Sequence, residues 1–436
     1  MNATTPLDLA PYWMPFTHNR YFKQRPKLVA SGAGAYLTLT DGRKVFDCLS
    51  GLWCTPLGHS HPDIVGAIQR QVATLDYSPG FQVSHPGAFE LAARIARWAP
   101  PGLNRVFFTN SGSESVDTAL KIAIAYHRLR GDSNRTTIIG RERGYHGVGI
   151  GGTSVGGIQN NRTMFTPLLL PNVAHLPHTY NAAEMRFSKG QPTWGAHLAD
   201  ELGKLIAQRG ADTIAAVIVE PMQGSAGVIV PPRGYLERLR EICTRNGILL
   251  IFDEVITGFG RVGANFGAQR LGVTPDLITF AKAVTNGVIP FGGVIVQQDI
   301  HDTFMTGPAQ AIELFHGYTY SGHPIACAAG NATLTAMEEM GAVARAAALE
   351  PVLEEAIHSL QGEPHVTDIR NFGLAAAVEL TPRDGRTLEA FERGLDAGIL
   401  LRFTGDNLAV APPFIATPDE IRGMVETLRK VLRDTQ

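Results

Sequence analysis

Two short apolar runs in the middle of the chain each end in an ionisable side chain. Residues 248–252 lead into Asp253, and residues 277–281 lead into Lys282. Short apolar runs followed by polar residues predict buried strands whose C-terminal ends carry a functional site. A carboxylate and an amine delivered there favour a cofactor that needs both, namely pyridoxal 5'-phosphate (PLP). That cofactor forms a Schiff base with a lysine and pairs its pyridine nitrogen with an acid.

A second segment, nearer the N-terminus, has the features of a phosphate site. Residues 105–109 predict a strand, and Ser111 with Glu114 predicts a capping box at the start of the next helix. The free amides and the dipole of such a helix end bind phosphate, and Gly112 and Ser113 permit a close approach. Alone, the segment is better explained as an ordinary capped helix. Together with the lysine and the carboxylate, it favours phosphate binding.

Two further features have both a functional and an ordinary explanation. Tyr145 and His146 lie in a glycine-rich turn, residues 144–147, where the tyrosine ring could stack on a cofactor or simply pack in a loop. Arg402 follows the apolar run 398–401 and could bind a carboxylate, although an arginine at a strand end is commonly a solvated charge. From these residues alone, both explanations stay open.

Three matches to known motifs lack the context that their chemistry needs. Residues 147–152 have the Gly-x-Gly-x-x-Gly spacing of a dinucleotide-binding loop, but no strand precedes them and no acidic residue follows at the required distance. Residues 152–156 match the nucleophile elbow of hydrolases without the strand before its serine. His59 and His61 have metal-like spacing but no accompanying carboxylate or cysteine cluster, so no metal site is predicted.

The composition is typical of a soluble globular enzyme. Of 436 residues, 44% are apolar and 18% are charged, so the chain can bury large cores. The formal net charge of −2 provides no general attraction for nucleic acid or acidic membranes. The four cysteines show no CxxC spacing and favour a reducing compartment. Neither a signal peptide nor a membrane span is predicted, so a cytoplasmic location is expected.

The order of the predicted elements favours an α/β fold with a mostly parallel sheet. The predicted strands are 105–109, 136–140, 214–219, 248–252, 277–281 and 293–296. The predicted helices are 86–98, 114–130, 194–208 and 234–246. Before this region, residues 36–47 predict two strands joined by an Asp-Gly turn.

A different pattern follows residue 324 and predicts a smaller α+β domain. Its predicted elements are an alanine-rich helical stretch 325–360, strands 366–371 and 374–380, a helix near 388–397 and a final helix from 418. We therefore expect an N-terminal segment that belongs to the small domain (1–58), a large PLP-binding α/β domain (59–324) and a C-terminal small α+β domain (325–436).

Eight segments, spread almost from end to end, carry a family resemblance. They are residues 14–17, 50–54, 109–115, 140–147, 252–261, 281–282, 316–324 and 402–406. The most specific is DEVITGFGR, residues 253–261, followed by Lys282. These segments resemble the class III (ω-)aminotransferases, which are PLP enzymes of fold type I, the aspartate-aminotransferase fold. Within that family the chain is most similar to members that use β-alanine and pyruvate.

The resemblance implies that an amino group moves from an ω-amino acid or an amine to pyruvate, giving an aldehyde or ketone and L-alanine. From β-alanine the first product would be malonate semialdehyde. Another class III activity stays open, either a 4-aminobutyrate- or ornithine-type aminotransferase or an aminomutase, which would need no keto acceptor. A nicotinamide oxidoreductase that uses residues 147–152 is the alternative from another class, and visible absorption of bound PLP would exclude it.

The resemblance also implies roles for individual residues. Lys282 would form the Schiff base, Asp253 would pair with the pyridine nitrogen, and Arg402 would bind the acceptor's carboxylate. The implied cofactor-binding residues are Ser111, Gly112, Ser113, Tyr145, His146, Glu220, Asp253, Val255, Lys282, Tyr318 and Thr319. The implied substrate-binding residues are Phe16, Trp53, Phe81, Tyr145 and Arg402. Tyr318 and Thr319 are expected to reach the cofactor phosphate of a neighbouring subunit, so a homodimer or homotetramer with shared active sites is expected.

One position departs from the family pattern. Ala283 follows the lysine, where members of the family usually carry glycine. Because alanine needs less unusual backbone geometry than glycine can adopt, we expect a small local adjustment and no loss of activity.

Overall fold

The computed structural model of the chain describes residues 7–436, and its strands form three sheets. The strands are β1 (Val29–Ala33), β2 (Tyr36–Leu39), β3 (Lys44–Asp47), β4 (Leu103–Thr109), β5 (Thr137–Arg141), β6 (Val173–Leu176), β7 (Ile214–Val219), β8 (Leu249–Asp253), β9 (Leu277–Ala281), β10 (Gly292–Gln297), β11 (Val366–Asn371), β12 (Ala376–Leu380), β13 (Ile399–Leu400), β14 (Arg402–Thr404) and β15 (Asn407–Val410).

Helices cover the large sheet and much of the remaining chain. The α-helices are α1 (Asn19–Gln24), α2 (Ser50–Trp53), α3 (Pro62–Thr74), α4 (Pro86–Trp98), α5 (Gly112–Leu129), α6 (Ile150–Val155), α7 (Gln159–Thr163), α8 (Ala182–Met185), α9 (Glu201–Arg209), α10 (Tyr235–Arg245), α11 (Gly267–Leu271), α12 (Gln298–Phe304), α13 (Pro324–Met340), α14 (Ala342–His358), α15 (Arg386–Asp396) and α16 (Pro418–Asp434). Short 3-10 turns lie at Thr166–Leu168, Ala196–Asp200, Ala211–Thr213 and Lys282–Thr285. Along the described part of the chain, no helix has the length and apolar character needed to cross a bilayer.

The largest sheet has seven strands in the order β4-β10-β9-β8-β7-β5-β6. The neighbours from β9 to β6 pair in parallel, whereas β10 is antiparallel to both β4 and β9. The predicted α/β fold with a mostly parallel sheet is therefore confirmed. Because β10 is the reversed strand, the C-terminal ends of β4, β5, β7, β8 and β9 all lie at one edge of the sheet.

The central strands are buried on both faces, which explains their continuous apolar sequences. Every residue of β7, β8 and β9 is buried. In β8, Leu250 and Phe252 belong to the core cluster on one face, while Leu249 and Ile251 belong to the cluster on the other. Alternation of side chains across a doubly covered sheet requires apolar residues at every position, and not only at every second one.

One of the two smaller sheets joins the N-terminal and C-terminal parts of the chain. One has the order β1-β2-β3-β13, and the other has the order β11-β12-β15-β14. In the first, β13 pairs in parallel with β3, so that Ile399 lies opposite Phe46. This pairing supports our proposal that the N-terminal segment belongs with the C-terminal small domain.

Several predicted elements differ from those in the structure. The helical stretch predicted at 325–360 is two helices, α13 and α14, because Gly341 adopts a left-handed conformation with φ 61° between them. The helix predicted at 194–208 begins as a 3-10 turn before α9. The strand β6 and the helix α3 were not predicted; β6 is a four-residue edge strand that is only half buried.

Candidate active site

A cavity of about 130 Å³ opens where the five C-terminal strand ends meet. It is lined by Gly112, Ser113, Tyr145, His146, Gly147, Glu220, Asp253, Val255, Ile256 and Lys282. The segments that follow β4, β5, β7, β8 and β9 each contribute part of this lining. Parallel strands thus deliver residues that are far apart in sequence to one edge of the sheet, which is the usual ligand position in such folds.

Asp253 is the last residue of β8, and its side chain is held from two sides. Its Oδ2 lies 2.8 Å from Nδ1 of His146, and its Oδ1 accepts a hydrogen bond of 3.2 Å from the amide of Val255. Both side chains are almost completely buried, and Nε2 of His146 has no partner among the described residues. The histidine therefore orients the carboxylate, which keeps its remaining acceptor capacity for a donor in the cavity.

Glu220 follows β7 and lies behind the turn that carries Tyr145. Its Oε1 accepts a hydrogen bond of 2.8 Å from the amide of Tyr145. Burial raises the pKa of Glu220 from 4.5 to about 7, His146 opposes the increase, and the nearby Asp253 carboxylate adds to it. Near neutral pH this buried carboxyl group is therefore close to the midpoint of its titration.

Lys282 follows β9, the strand that pairs with β8. Thr279 lies opposite Asp253 in the parallel register. Lys282, which follows β9, therefore lies at the same edge of the sheet as Asp253. Its φ of 52° is left-handed, a conformation that costs a side-chain-bearing residue about 1 kcal/mol or more. Burial lowers the pKa of the Lys282 amine, while the acidic groups of Cys54, Asp253 and Glu220 oppose this effect. Burial therefore favours the neutral amine, which is the nucleophilic form.

The start of α5 provides the predicted anion site. Ser111 is the N-cap, and its Oγ accepts a hydrogen bond of 3.2 Å from the amide of Glu114. The amides of Gly112 and Ser113 belong to the first helical turn, where no intrahelical acceptor exists. The predicted capping box is only half formed, because the Glu114 carboxylate accepts from the amide of Asn110 and not from that of Ser111.

Two glycines allow the segments around this helix end to pack closely. A Cβ on Gly112 would lie 3.1 Å from both methyl groups of Val255. Gly147, with φ +88°, lies so close to Ser113 that a Cβ there would be within 3 Å of both the backbone and the side chain of that serine. The hydroxyl of Ser113 in turn accepts a hydrogen bond of 3.0 Å from the amide of Val148. The glycine-rich turn after β5 is therefore packed directly against the first turn of α5.

The donor set of this cavity fits the cofactor expected from the sequence. Free helix amides suit a phosphate, a buried carboxylate suits a protonated ring nitrogen, and an amine of lowered pKa suits an aldehyde. Gly147 and Ile256 also line the cavity but were not predicted as site residues. The position of Gly147 in the glycine-rich turn was the one sequence signal that could have identified it.

Three of the predicted site residues lie together outside this cavity. A Cβ on Gly317 would approach Cε1 of Phe81 to 2.7 Å, and the hydroxyl of Tyr77 donates to the backbone oxygen of Thr319 at 3.1 Å. The ring of Phe81 is 55% exposed. We call Phe81, Tyr318 and Thr319 the outer group, because none of them lines the Lys282 cavity.

Of the remaining predicted residues, Phe16 and Trp53 belong to the N-terminal segment, and Arg402 belongs to the C-terminal part of the chain. Arg402 and Phe16 line a second, largely apolar cavity of about 370 Å³. Burial raises the pKa of Tyr145, and the positive charge of Arg402 opposes this effect, so the arginine is within electrostatic reach of the first cavity. Trp53 is buried in the same apolar cluster as Ile256, which lines the first cavity.

Two of the rejected motifs lie in segments that cannot perform their usual chemistry. Residues 147–152 run from a turn into α6, and Ser154 lies inside that helix, where its hydroxyl donates to the backbone oxygen of Ile150. Nε2 of His59 pairs with the Asp47 carboxylate at 2.7 Å, which gives this histidine a structural partner.

Comparison with known proteins identifies similar chains along almost the whole sequence. Residues 19–432 match the family model described as class III aminotransferase. An ω-aminotransferase of Caulobacter vibrioides is 56% identical, with 98% of each chain covered. A β-alanine–pyruvate aminotransferase of Pseudomonas aeruginosa is 52% identical, over 99% of this chain and 97% of the relative. Among solved structures, the PLP-bound amine transaminase of an uncultivated Pseudomonas species has a TM-score of 0.89 and 35% identity, over 98% of this chain and 99% of that one.

The raised pKa of Glu220 predicts a stability change that depends on pH. The folded protein binds the Glu220 proton more tightly than the unfolded chain does, so ionising this group costs stability. The cost is absent below pH 4.5, grows between 4.5 and about 7, and is complete above that range. In cofactor-free full-length protein we therefore expect Glu220→Gln to increase the free energy of unfolding above about pH 8 by up to roughly 3 kcal/mol.

Urea unfolding of wild type and Glu220→Gln across this pH range measures the effect. Below about pH 4 the two proteins should differ little, because the carboxyl group is then largely protonated in both the folded and the unfolded state. A difference that is the same at every pH would mean that the ionisation of Glu220 does not cause it.

The close contact of Gly147 with Ser113 predicts that Gly147→Ala displaces the first turn of α5. We expect the affinity for PLP to fall by about tenfold or more, since overpacking costs about 1–3 kcal/mol. Gly131→Ala is the matched control: Gly131 has nearly the same φ, +87°, but no atom lies within 4 Å of its Cβ position. Gly131→Ala should lose about 1 kcal/mol of stability from its backbone conformation alone, and Gly147→Ala should lose more because of its contacts. Only Gly147→Ala should lose affinity in a fluorescence titration with PLP. Equal affinities would show that this contact does not shape the cofactor site.

Proposed function

We propose, since this chain belongs to the class III aminotransferases, that it transfers the amino group of an ω-amino acid such as β-alanine, or of a related amine, to pyruvate. The products are L-alanine and an aldehyde or ketone, which is malonate semialdehyde when β-alanine is the donor. One observation carries the proposal. The amine of Lys282, the Asp253–His146 pair and the first turn of α5 border the same cavity.

We propose PLP as the cofactor, bound in this cavity. Its phosphate would be held by the amides of Gly112 and Ser113, its pyridine nitrogen by Asp253, and its aldehyde by Lys282. When bound, PLP supplies an electron sink for the carbon that carries the substrate's amino group. The ring of Tyr145 and the methyl groups of Val255 would enclose the cofactor ring, because both side chains line the cavity.

Lys282 is proposed as the catalytic acid–base group. Burial lowers its pKa, so at neutral pH a larger fraction of the amine is unprotonated than for an exposed lysine. In this form Nζ accepts the proton from the amine-bearing carbon of the donor, and it later returns a proton to the acceptor. The same nucleophilicity allows Nζ to retain the cofactor between turnovers.

Asp253 is proposed to stabilise positive charge on the ring nitrogen. A buried carboxylate is effective in this role because the low local dielectric strengthens its interaction with a cation. The hydrogen bond from Nδ1 of His146 prevents the carboxylate from rotating away from the cavity. Glu220 holds the Tyr145 turn through the amide of that residue, and it thereby sets the position of the aromatic wall.

Arg402 is proposed to bind the carboxylate of pyruvate or β-alanine. A guanidinium presents paired donors that match a carboxylate. Phe16, Trp53, Phe81 and Tyr145 are proposed to line the substrate pocket. The position of Arg402 at the border of the apolar 370 Å³ cavity supports a site that admits both a carboxylate and an apolar chain.

The outer group supports the proposal that the active unit is at least a homodimer. Phe81, Tyr318 and Thr319 lie together, and none of them lines the Lys282 cavity of the same chain. If a neighbouring subunit docks against the surface formed by the outer group, these residues would reach the cofactor site of that subunit. We propose a homodimer or homotetramer in which active sites are shared between subunits.

The proposed role of Lys282 predicts that Lys282→Ala lowers the rate of alanine formation from β-alanine and pyruvate by about 10²- to 10⁴-fold or more. Lys282→Arg is the matched control, because it keeps a positive charge but has no amine that can lose its proton near neutral pH. Both variants should be inactive, and alanine is measured by chromatography. Borohydride treatment should attach the cofactor covalently to the peptide containing Lys282 in the wild type only, which mass spectrometry detects. Wild-type rates in either variant would contradict the proposed function.

The proposed role of Arg402 predicts a loss that depends on the substrate. Arg402→Ala should reduce kcat/KM for pyruvate and for β-alanine by about 10- to 100-fold, because a charge-assisted pair loses one partner. An amine donor without a carboxylate should be affected about twofold or less in its half-reaction. Arg402→Lys keeps the charge without the paired donors, and it should give an intermediate loss. The same loss for all three substrates would remove the carboxylate-binding role.

A further inference from the structure

Arg141, the last residue of β5, is a buried cation behind the active-site cavity. It is 1% exposed, and its Nη2 donates a hydrogen bond of 2.7 Å to the backbone oxygen of Glu220. Its Nε and Nη1 have no partner among the described residues. The guanidinium carbon lies 5.7 Å from the ring centroid of Tyr235, which is also fully buried. The partner found for this guanidinium is thus a backbone carbonyl and not a carboxylate.

Such an arrangement is costly for a protein that needs only a packed core. A buried guanidinium loses its hydration, and a single neutral acceptor recovers little of that free energy. A positive charge in this position does, however, act on buried anions nearby. Glu220, whose backbone oxygen accepts from Arg141, is such an anion when it is ionised, so the charge of Arg141 lies where it stabilises this carboxylate.

Arg141 is also connected to the cavity through the backbone. The amide of Gly144 donates to the backbone oxygen of Arg141 at 3.0 Å, which closes the turn that carries Tyr145. The amide of Tyr145 then donates to Glu220 Oε1, and the backbone oxygen of Glu220 accepts from Arg141. Arg141, Glu220 and the Tyr145 turn therefore form a closed ring of hydrogen bonds.

We propose that Arg141 is a positioning residue, which holds Glu220 through its backbone oxygen and supplies the buried positive charge that favours the ionised Glu220 carboxylate beside Tyr145. The proposal concerns the same site as the proposed function and rests on it for its catalytic meaning. Arg141 does not line the cavity, so it acts through Glu220 and through the Tyr145 turn.

The electrostatic surroundings of Glu220 agree with this role. Burial raises the pKa of Glu220 and the Asp253 carboxylate raises it further, while His146 and Arg141 oppose the increase. Lys282 also faces Glu220, since the carboxylate contributes to the pKa of the lysine. Removal of the Arg141 charge should therefore raise the pKa of Glu220 further.

The test compares the unfolding of cofactor-free full-length protein in a double-mutant cycle. The difference in unfolding free energy between wild type and Glu220→Gln, followed against pH, isolates the titration of Glu220. The same difference is then measured in an Arg141→Gln background. We expect the midpoint of this difference to move to higher pH, because a neutral side chain no longer stabilises the carboxylate.

Arg135→Gln is the matched control. Arg135 also donates to backbone oxygens, those of Ala211, Ile214 and Asn246, at the opposite edge of the sheet. Its replacement should destabilise the protein without moving the Glu220 midpoint. A midpoint that stays in place in Arg141→Gln as well would show that Arg141 has only a structural role.

Arg141→Lys distinguishes the effect of the positive charge from the effect of the hydrogen bond to Glu220. It also tests the proposal if Arg141→Gln does not fold. A lysine keeps the positive charge but not the planar guanidinium that donates to Glu220. We expect its Glu220 midpoint to stay near that of the wild type and its affinity for PLP to fall by about tenfold. A midpoint displaced as far as in Arg141→Gln, or an unchanged affinity, would overturn the proposal.

A negative result of this experiment can be distinguished from a failure of the proposed function. The pH cycle requires neither substrate nor turnover, so it stands even if β-alanine and pyruvate are not converted. Conversely, normal alanine formation with an unmoved midpoint would reject only the role of Arg141.

Discussion

The parallel pairing of β8 with β9 is the constraint on which the site depends. It fixes Asp253 opposite Thr279, so that the carboxylate and the amine of Lys282 emerge at one buried edge of the sheet. Placing charges at this buried edge costs folding free energy, because each charged group loses its hydration there. The protein limits the cost by titration and by pairing: burial lowers the pKa of Lys282, that of Glu220 rises to about 7, and Asp253 is held by His146. These shifts are what makes the groups useful near neutral pH.

The sequence was most informative where burial is complete. The doubly covered strands β7, β8 and β9 require apolar residues at every position, so their bounds could be predicted to within a residue. The edge strand β6 was not predicted, because its four residues are only half buried. The break between α13 and α14 was not predicted either, because it depends on the backbone conformation of one residue, Gly341, within an alanine-rich stretch.

The residues of the candidate site also differ in how well the sequence could predict them. Lys282, Asp253 and the first turn of α5 could be predicted from local patterns, since each is either an ionisable residue at the end of an apolar strand or a helix cap. The outer group could be inferred only through family resemblance, because its residues lie outside the cavity that they are proposed to serve in a partner. The proposed role of Arg141 could not be predicted from the sequence, because it depends on burial against a backbone oxygen. A contact to the main chain leaves no pattern in residue types.

The pairing of β13 with β3 has a consequence for the synthesis of the chain. Phe46 and Ile399 are neighbours in this sheet but are separated by roughly 350 residues of sequence. On the ribosome, the hairpin of β2 and β3 emerges early and presents an open strand edge until almost the whole chain has been translated. Open edges of this kind can pair with other strands, so the hairpin is exposed to incorrect pairing until β13 has been made. The large sheet, whose strands are all made earlier, can form while the hairpin waits for its last strand.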